Sequence, residues 1–143
     1  MKVRVYSDLH LYISNDDVER YDSTELLDLK TKLYTDPVDI LIFAGDLTHK
    51  VYSTDDRRFV HAMKFVADIR NACKETNTIF RIIKGTATHD GKIIEVLQKQ
   101  YENDAVLKCY TQVAYENINN LVFRFLPEPY FDNYTNFYQY AFS

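Results

Sequence analysis

Three short groups of acidic and histidine residues stand out, because each directly follows a run of β-branched and aromatic residues. The groups are Asp8-Leu9-His10, Gly45-Asp46-Leu47-Thr48-His49 and Gly85-Thr86-Ala87-Thr88-His89-Asp90. Carboxylate and imidazole groups are ligands for divalent metal ions in hydrolases. Strands of an open α/β sheet bring such groups together beyond their carboxyl ends, so all three can meet around one ion. The pattern therefore predicts a metal-dependent hydrolase.

Each group also has an ordinary structural interpretation. Asp8 and His10 alternate along an extended segment and so point to one side, but Asp-x-His also occurs by chance. Asp46 either caps a turn or bridges two cations. Asp90 can fix the tautomer and orientation of an imidazole, that of its neighbour His89 or of another histidine. The three groups together favour the metal site.

Strands and helices are expected to alternate through the first hundred residues. Compact apolar runs predict buried strands at residues 3–6, 39–44 and 78–84. Helices are predicted from Asp22 or Ser23 to residue 34, from Thr54 onward, and from residue 93 to 101. Apolar residues at helical spacing give the two longer helices their inward faces, namely Leu26, Leu27, Leu29 and Leu33, then Phe59, Met63, Val66, Ile69 and Cys73.

Extended segments dominate after the third predicted helix. Residues 106–118 and 121–126 read as two strands, and Asn119-Asn120 between them is a plausible tight turn. The segments predict a β-hairpin. The expected fold class is therefore α/β, a sheet with flanking helices followed by a hairpin.

Length, charge and composition narrow the class of protein. With 143 residues, 46% of them apolar, we expect one domain with a substantial core. No apolar run approaches the ~18 residues that cross a bilayer, so we expect no membrane association and a cytoplasmic location. Cys73 and Cys109 are too few for a disulfide framework and are expected to be reduced. A net charge of −4 argues against electrostatic coating of nucleic acid, but a nuclease remains possible because bound metal supplies positive charge locally.

The order of the three groups resembles the calcineurin-like metallophosphoesterase superfamily, whose signatures are Asp-x-His, Gly-Asp-x-x-(Asp or His) and Gly-Asn-His-(Asp or Glu). The histidine three residues after Asp46 is similar to the form found in SbcD-type DNA repair nucleases. Residues 125–130, Phe-Leu-Pro-Glu-Pro-Tyr, are similar to the region that follows the third signature in phage-type members. The resemblance covers residues 1–130. It implies a partial α/β/β/α sandwich with a mixed sheet, in one domain over residues 1–143 that lacks the family's C-terminal histidine motifs.

The resemblance also implies a role for each acidic and histidine residue. Asp8 and His10 would bind the first metal ion and Asp46 would bridge two ions, for which manganese is the family expectation. His49 would contact the scissile phosphate. His89 would assist the leaving group or position the backbone.

Asp90 would support His89 in that catalytic role. On this interpretation, removing His49 or His89 lowers turnover with little change in metal binding, whereas Asp8 or Asp46 replaced by Asn loses the metal.

Two departures from the family pattern bear on activity. The third group is two residues longer and offers Thr86 or Thr88 where the family has a metal-binding Asn. No histidine follows His89, whereas the family closes its site with later Gly-His and Gly-His-x-His motifs. The chain is therefore either the front part of a longer or split enzyme, or a degenerate relative that acts as a binding or assembly module.

Partners follow from the same resemblance. It implies DNA as substrate, a coiled-coil ATPase subunit of the structural-maintenance class, and a second chain or a second copy that completes the metal site. A small-molecule phosphoesterase is the third alternative, which the Gly-Asp-Leu-x-His form disfavours. Five basic residues flank the groups, namely Lys50, Arg57, Arg58, Lys84 and Lys92. They either guide a phosphate backbone toward the metal or form a solvated face.

Overall fold

A computed structural model describes residues 1–11 and 18–128, with the side chains of the first helix described from Leu26 onward. The strands are β1 (Val3–Tyr6), β2 (Ile40–Ala44), β3 (Ile79–Ile83), β4 (Leu107–Tyr110), β5 (Ala114–Ile118) and β6 (Leu121–Phe125). The helices are α1 (Val18–Thr35), α2 (Arg57–Glu75), α3 (Ala87–Asp90) and α4 (Ile93–Gln100). The predicted α/β class is confirmed. Pro129 and Tyr130, which end the phage-like segment, lie outside the described residues.

The first four strands form one parallel sheet in the order β1-β2-β3-β4. We expected a mixed sheet, but within the described residues antiparallel pairing is confined to a separate two-stranded sheet of β5 and β6. Parallel strands all point the same way, so β1, β2 and β3 end at one edge. The three groups of acidic and histidine residues follow these ends.

The segment 106–118 is not one strand, as the sequence suggested, but two. Its first part, β4, pairs in parallel with β3, and its second part, β5, turns away to pair with β6. The expected turn at Asn119-Asn120 is confirmed, since both residues have positive φ, 51° and 66°, as the tightest hairpin turns require.

The core lies in two layers, one on each face of the parallel sheet. On one face, α1 and α2 pack through buried residues that include Leu33, Phe65 and Ile69. Leu27, which we predicted to face inward, is 61% exposed, because it is one residue out of step with the stripe at 26, 29 and 33. On the other face, the hairpin covers Ile40 and Ile42.

A buried ion pair fixes the hairpin to the sheet. The guanidinium of Arg81 donates to both carboxylate oxygens of Glu116, at 2.6 and 2.9 Å, and Arg81 is only 5% exposed. This two-point contact links the middle of β3 to the middle of β5. No helix among the described residues is long and apolar enough to cross a membrane.

Candidate metal centre

The loops after β1 and β2 run side by side beyond the sheet. Asp8 N–H donates to the carbonyl of Gly45 at 3.1 Å, His10 N–H to that of Asp46 at 3.0 Å, and Leu11 N–H to that of Leu47 at 2.8 Å. These bonds align the first group of residues with the second. The convergence of the two groups is thus set by backbone pairing that continues the sheet.

The backbone reaches this arrangement through an unusual conformation. Asp8, His10 and Asp46 have φ values of 54°, 47° and 54°, in the left-handed region that residues with a Cβ seldom adopt. We predicted that Asp8 and His10 would share one side of an extended segment. Their side chains do converge, but the segment turns at both residues. Strain of this kind, of order 1–3 kcal/mol per residue, concentrates at functional sites.

His10 is the centre of the cluster. Its Nε2 lies 3.5 Å from Asp8 Oδ1 and 3.5 Å from Asp46 Oδ2. This nitrogen is buried and has no hydrogen-bond partner among the described residues. Two ligands of a tetrahedral ion with bonds of about 2.0–2.2 Å lie about 3.3–3.6 Å apart, which matches these separations. A divalent cation therefore fits between the imidazole and the Asp46 carboxylate, whereas Asp8 is not part of the group of ligand atoms that lie close enough to share one ion.

His89 joins the same cluster from α3. One ligand atom each from His10, Asp46 and His89 lies within 4.8 Å of the other two. The His89 ring stacks on that of His10, with centroids 4.4 Å apart, and its Nδ1 is bonded to the carbonyl of His49. When Nδ1 donates to this carbonyl, Nε2 keeps the lone pair that binds metal. The strand-end pattern allowed the third group to reach the ion, but the family resemblance gave His89 a leaving-group role and not that of a ligand.

Asp8 and His49 border this three-residue cluster. The side chain of Asp8 is 63% exposed and lies 3.5 Å from His10 Nε2. The ring centroid of His49 lies 6.1 Å from that of His10 and 6.4 Å from that of His89. His49 is exposed, so its imidazole is accessible to a substrate bound at the cluster.

The two carboxylate oxygens of Asp46 have different partners. Oδ1 accepts hydrogen bonds from the Thr86 N–H at 2.7 Å and the Thr86 hydroxyl at 2.9 Å, while Oδ2 faces His10. Burial raises the pKa of Asp46, but these bonds and the nearby histidines outweigh burial and lower the pKa below its ordinary value. Asp46 is therefore ionised at neutral pH. Of the two threonines considered as substitutes for the family's Asn, Thr86 is the one that contacts this carboxylate.

Gly85 lets the third group approach the second. A Cβ on Gly85 would lie 2.2 Å from the backbone nitrogen of Asp46 and 2.4 Å from its Oδ1. Neither distance is compatible with a side chain, so a residue other than glycine would push the two loops apart. The bond between Thr86 and Asp46 depends on this close contact.

The carboxylate of Asp90 links the backbone of the second group to that of the third. It is 2% exposed, and its oxygens accept from the backbone N–H groups of Leu47 at 2.7 Å, Thr48 at 3.3 Å and Gly85 at 2.7 Å. We expected Asp90 to support the His89 ring, but the Nδ1 of that ring is bonded to the carbonyl of His49 instead. Burial raises the pKa of Asp90, as does the charge of Asp46, and the three N–H groups oppose the rise.

A cleft of about 240 Å³ opens beside the cluster. Asp8 and Asp46 form its wall nearest the histidines, and Lys84, Leu126 and Glu128 line other parts of it. The Glu128 N–H donates to the carbonyl of Lys84 at 3.1 Å, which holds the chain after the hairpin against the end of β3. The cleft gives a substrate access to the carboxylates.

Comparisons with known proteins leave the family open. No family model matches the chain, and a search of curated proteins finds no match. Any assignment of function therefore depends on the geometry of the cluster and on the order of its motifs.

Proposed function

We propose that this chain is a metal-dependent phosphodiesterase of the metallophosphoesterase type, with one divalent ion bound by His10, Asp46 and His89. The observation that carries the proposal is the buried Nε2 of His10, which lies between carboxylates without a hydrogen-bond partner among the described residues. Asp8, 3.5 Å from that nitrogen, is placed to contribute a fourth ligand. Because the Asp8 side chain is 63% exposed, its carboxylate can reorient toward the ion.

The chemistry would be divided between the ion and the side chains around it. A bound divalent ion polarises a phosphoryl oxygen and lowers the pKa of water. Ionised Asp46 supplies the negative charge that holds the ion. His49, exposed beside the cluster, is positioned to donate a hydrogen bond to a phosphate oxygen or a proton to the departing oxygen.

The choice of metal follows from the donor set. Two imidazole nitrogens and a carboxylate suit manganese, iron or zinc better than magnesium or calcium, which prefer oxygen ligands. Manganese remains our expectation from the family resemblance. A second ion bridged by Asp46 would need ligands beyond the one group of three found among the described residues. A second chain or a second copy would supply them.

The resemblance extends the proposal to substrate and partners. DNA is the proposed substrate, a coiled-coil ATPase of the structural-maintenance class is the proposed partner, and the α/β/β/α sandwich is the proposed complete fold. The alternative is an inactive module for binding or assembly.

Two variants distinguish a metal-binding role of His89 from a catalytic role of His49. His89→Ala is expected to weaken Mn²⁺ binding at least about 10-fold, because it removes a ligand and not only an outer contact. His49→Ala is expected to lower the kcat for bis(p-nitrophenyl) phosphate about 100-fold with Mn²⁺ affinity unchanged. Calorimetric titration and a colorimetric assay measure the two effects.

His61→Ala, on α2, is the control and should change neither quantity. Equal Mn²⁺ affinity in His89→Ala and the parent chain would remove His89 from the ligand set. Binding of Mn²⁺ with no hydrolysis of any phosphodiester would favour the assembly module.

A further inference from the structure

Two loops next to the cluster run side by side and lead away from it. We call residues 48–51 and residues 89–92, which begin within α3, the paired loops. The Thr48 hydroxyl donates to the carbonyl of His89 at 2.6 Å, and His89 Nδ1 bonds the carbonyl of His49. Further along, a Cβ on Gly91 would lie 2.8 Å from Val51 Cγ1, so the two chains are still in contact there. Both loops therefore begin at the histidines and extend outward together.

Each of the paired loops carries one exposed lysine beyond its histidine. Lys50 follows His49 directly, and Lys92 comes three residues after His89. The Lys92 carbonyl accepts a hydrogen bond from the Val96 N–H at 3.1 Å, but neither lysine side chain has a hydrogen bond or ion pair with another described residue. Gly91 and Val51, their neighbours in sequence, are in contact, so the two lysines belong to adjacent segments of the chain.

Two of the other basic residues near the motifs are already engaged. Lys84 is paired with Glu95, and Arg58 donates to both oxygens of Asp56. The charge of Lys50 also acts on Asp56, but that carboxylate is bound by Arg58. Of the flanking basic residues that the sequence singled out, Lys50 and Lys92 thus combine exposure with direct attachment to the metal-site loops.

We propose that Lys50 and Lys92 form a binding surface for a nucleic-acid strand, holding phosphates next to the one at the metal cluster. The inference rests on the proposed function, since it takes one phosphodiester to lie at His10, Asp46 and His89. A mononucleotide or other small phosphoester has no further phosphates to place over the paired loops. A strand has one per nucleotide, and ammonium groups bind them without regard to base.

The size of the effect is limited by the charge of the protein. The chain carries a net charge of −4, so nucleic acid is not attracted to its surface in general. Two lysine contacts to a single strand release about 1.4 counterions, because each phosphate contact contributes about 0.7 to the salt slope. The surface should therefore guide a strand at low salt and lose most of its effect at high salt.

The test compares two double variants of the same charge. Lys50→Ala/Lys92→Ala is measured against Lys74→Ala/Lys99→Ala, which removes exposed lysines from the last turns of α2 and α4. Fluorescence anisotropy with Mn²⁺ follows binding of a phosphorothioate-linked single-stranded oligonucleotide, which resists hydrolysis, over a series of salt concentrations. Hydrolysis of bis(p-nitrophenyl) phosphate is measured in parallel.

We expect Lys50→Ala/Lys92→Ala to reduce the slope of log affinity against log salt by about 1.4, and the control pair to leave it unchanged. Hydrolysis of the small substrate should stay within two-fold in both variants, since neither lysine pair belongs to the cluster. An unchanged slope, an equal loss in the control pair, or no oligonucleotide binding by the parent chain would overturn the inference. Failure of the parent chain to hydrolyse the small substrate would instead count against the proposed function, while the slope still decides on the lysines.

Discussion

Replacing Gly85 by alanine is expected to abolish Mn²⁺ binding and to destabilise the fold. The added Cβ would lie 2.2 Å from Asp46 N, 2.4 Å from Asp46 Oδ1 and 2.9 Å from the carbonyl carbon of Gly45. Two of these atoms belong to the backbone, which cannot rotate away as a flexible side chain can. Overpacking of this kind lowers the free energy of unfolding by about 1–3 kcal/mol, or more where the backbone must move. Separation of the loops would also break the bonds from Thr86 to Asp46.

Gly91→Ala is the matched control for this substitution. Its Cβ would meet Val51 Cγ1 at 2.8 Å, which is the end of an exposed side chain, and its φ of 53° is the main source of strain. We expect Gly91→Ala to lower stability by about 1–2 kcal/mol and to leave Mn²⁺ affinity within two-fold. Urea unfolding and calorimetric titration measure both variants. Normal Mn²⁺ affinity in Gly85→Ala would show that the close contact of the loops is not needed for the site.

Replacing Asp90 by alanine is expected to produce the largest loss of stability among single carboxylate substitutions. The change leaves the N–H groups of Leu47, Thr48 and Gly85 without their acceptor in a place where Asp90 itself is 2% exposed. Each buried donor without a partner costs about 1–3 kcal/mol, so the free energy of unfolding should fall by at least about 3 kcal/mol.

Two further variants test whether the loss of stability is specific to the Asp90 carboxylate. Asp28→Ala removes an exposed carboxylate of α1 and should change stability by less than about 0.5 kcal/mol. Asp90→Asn keeps the shape and one acceptor, so its stability should lie between those of Asp90→Ala and the parent chain. A stability of Asp90→Ala within about 1 kcal/mol of the parent chain would contradict the role of Asp90 in joining the loops.

Local signals in the sequence were enough to locate the strands that carry the site. The positions of β1, β2 and β3 depend little on distant residues, because apolar residues dominate each run. The prediction that β1 is buried was wrong: Val3 and Val5 are exposed, because β1 pairs only with β2 among the described strands. The hairpin turn at Asn119-Asn120 was likewise visible, because asparagine tolerates positive φ. The division of residues 106–118 was not visible, since β4 is defined by its pairing with β3, which is distant in sequence.

The convergence of the motifs was predictable, but the contacts within the site were not. Parallel strands that end at one edge bring Asp8, Asp46 and His89 near one another whatever the details of the loops. Asp and His adopt positive φ more often than most residues with a Cβ, but residue type alone does not say where they do so, and the left-handed conformation of Asp8, His10 and Asp46 was therefore not predicted. The direction of the His89 ring and the three partners of Asp90 depend on how α3 packs, which spacing along the chain does not encode.

Calorimetric titration of the parent chain and of Asp46→Asn with Mn²⁺ tests the central claim most directly. Asp46 is the only carboxylate in the three-residue cluster, and its ionised Oδ2 faces His10 at 3.5 Å. We predict that the parent chain binds one Mn²⁺ and that Asp46→Asn loses this binding while retaining its fold by circular dichroism. Equal Mn²⁺ occupancy in the two proteins, or no binding by the parent chain, would contradict a metal site at His10, Asp46 and His89.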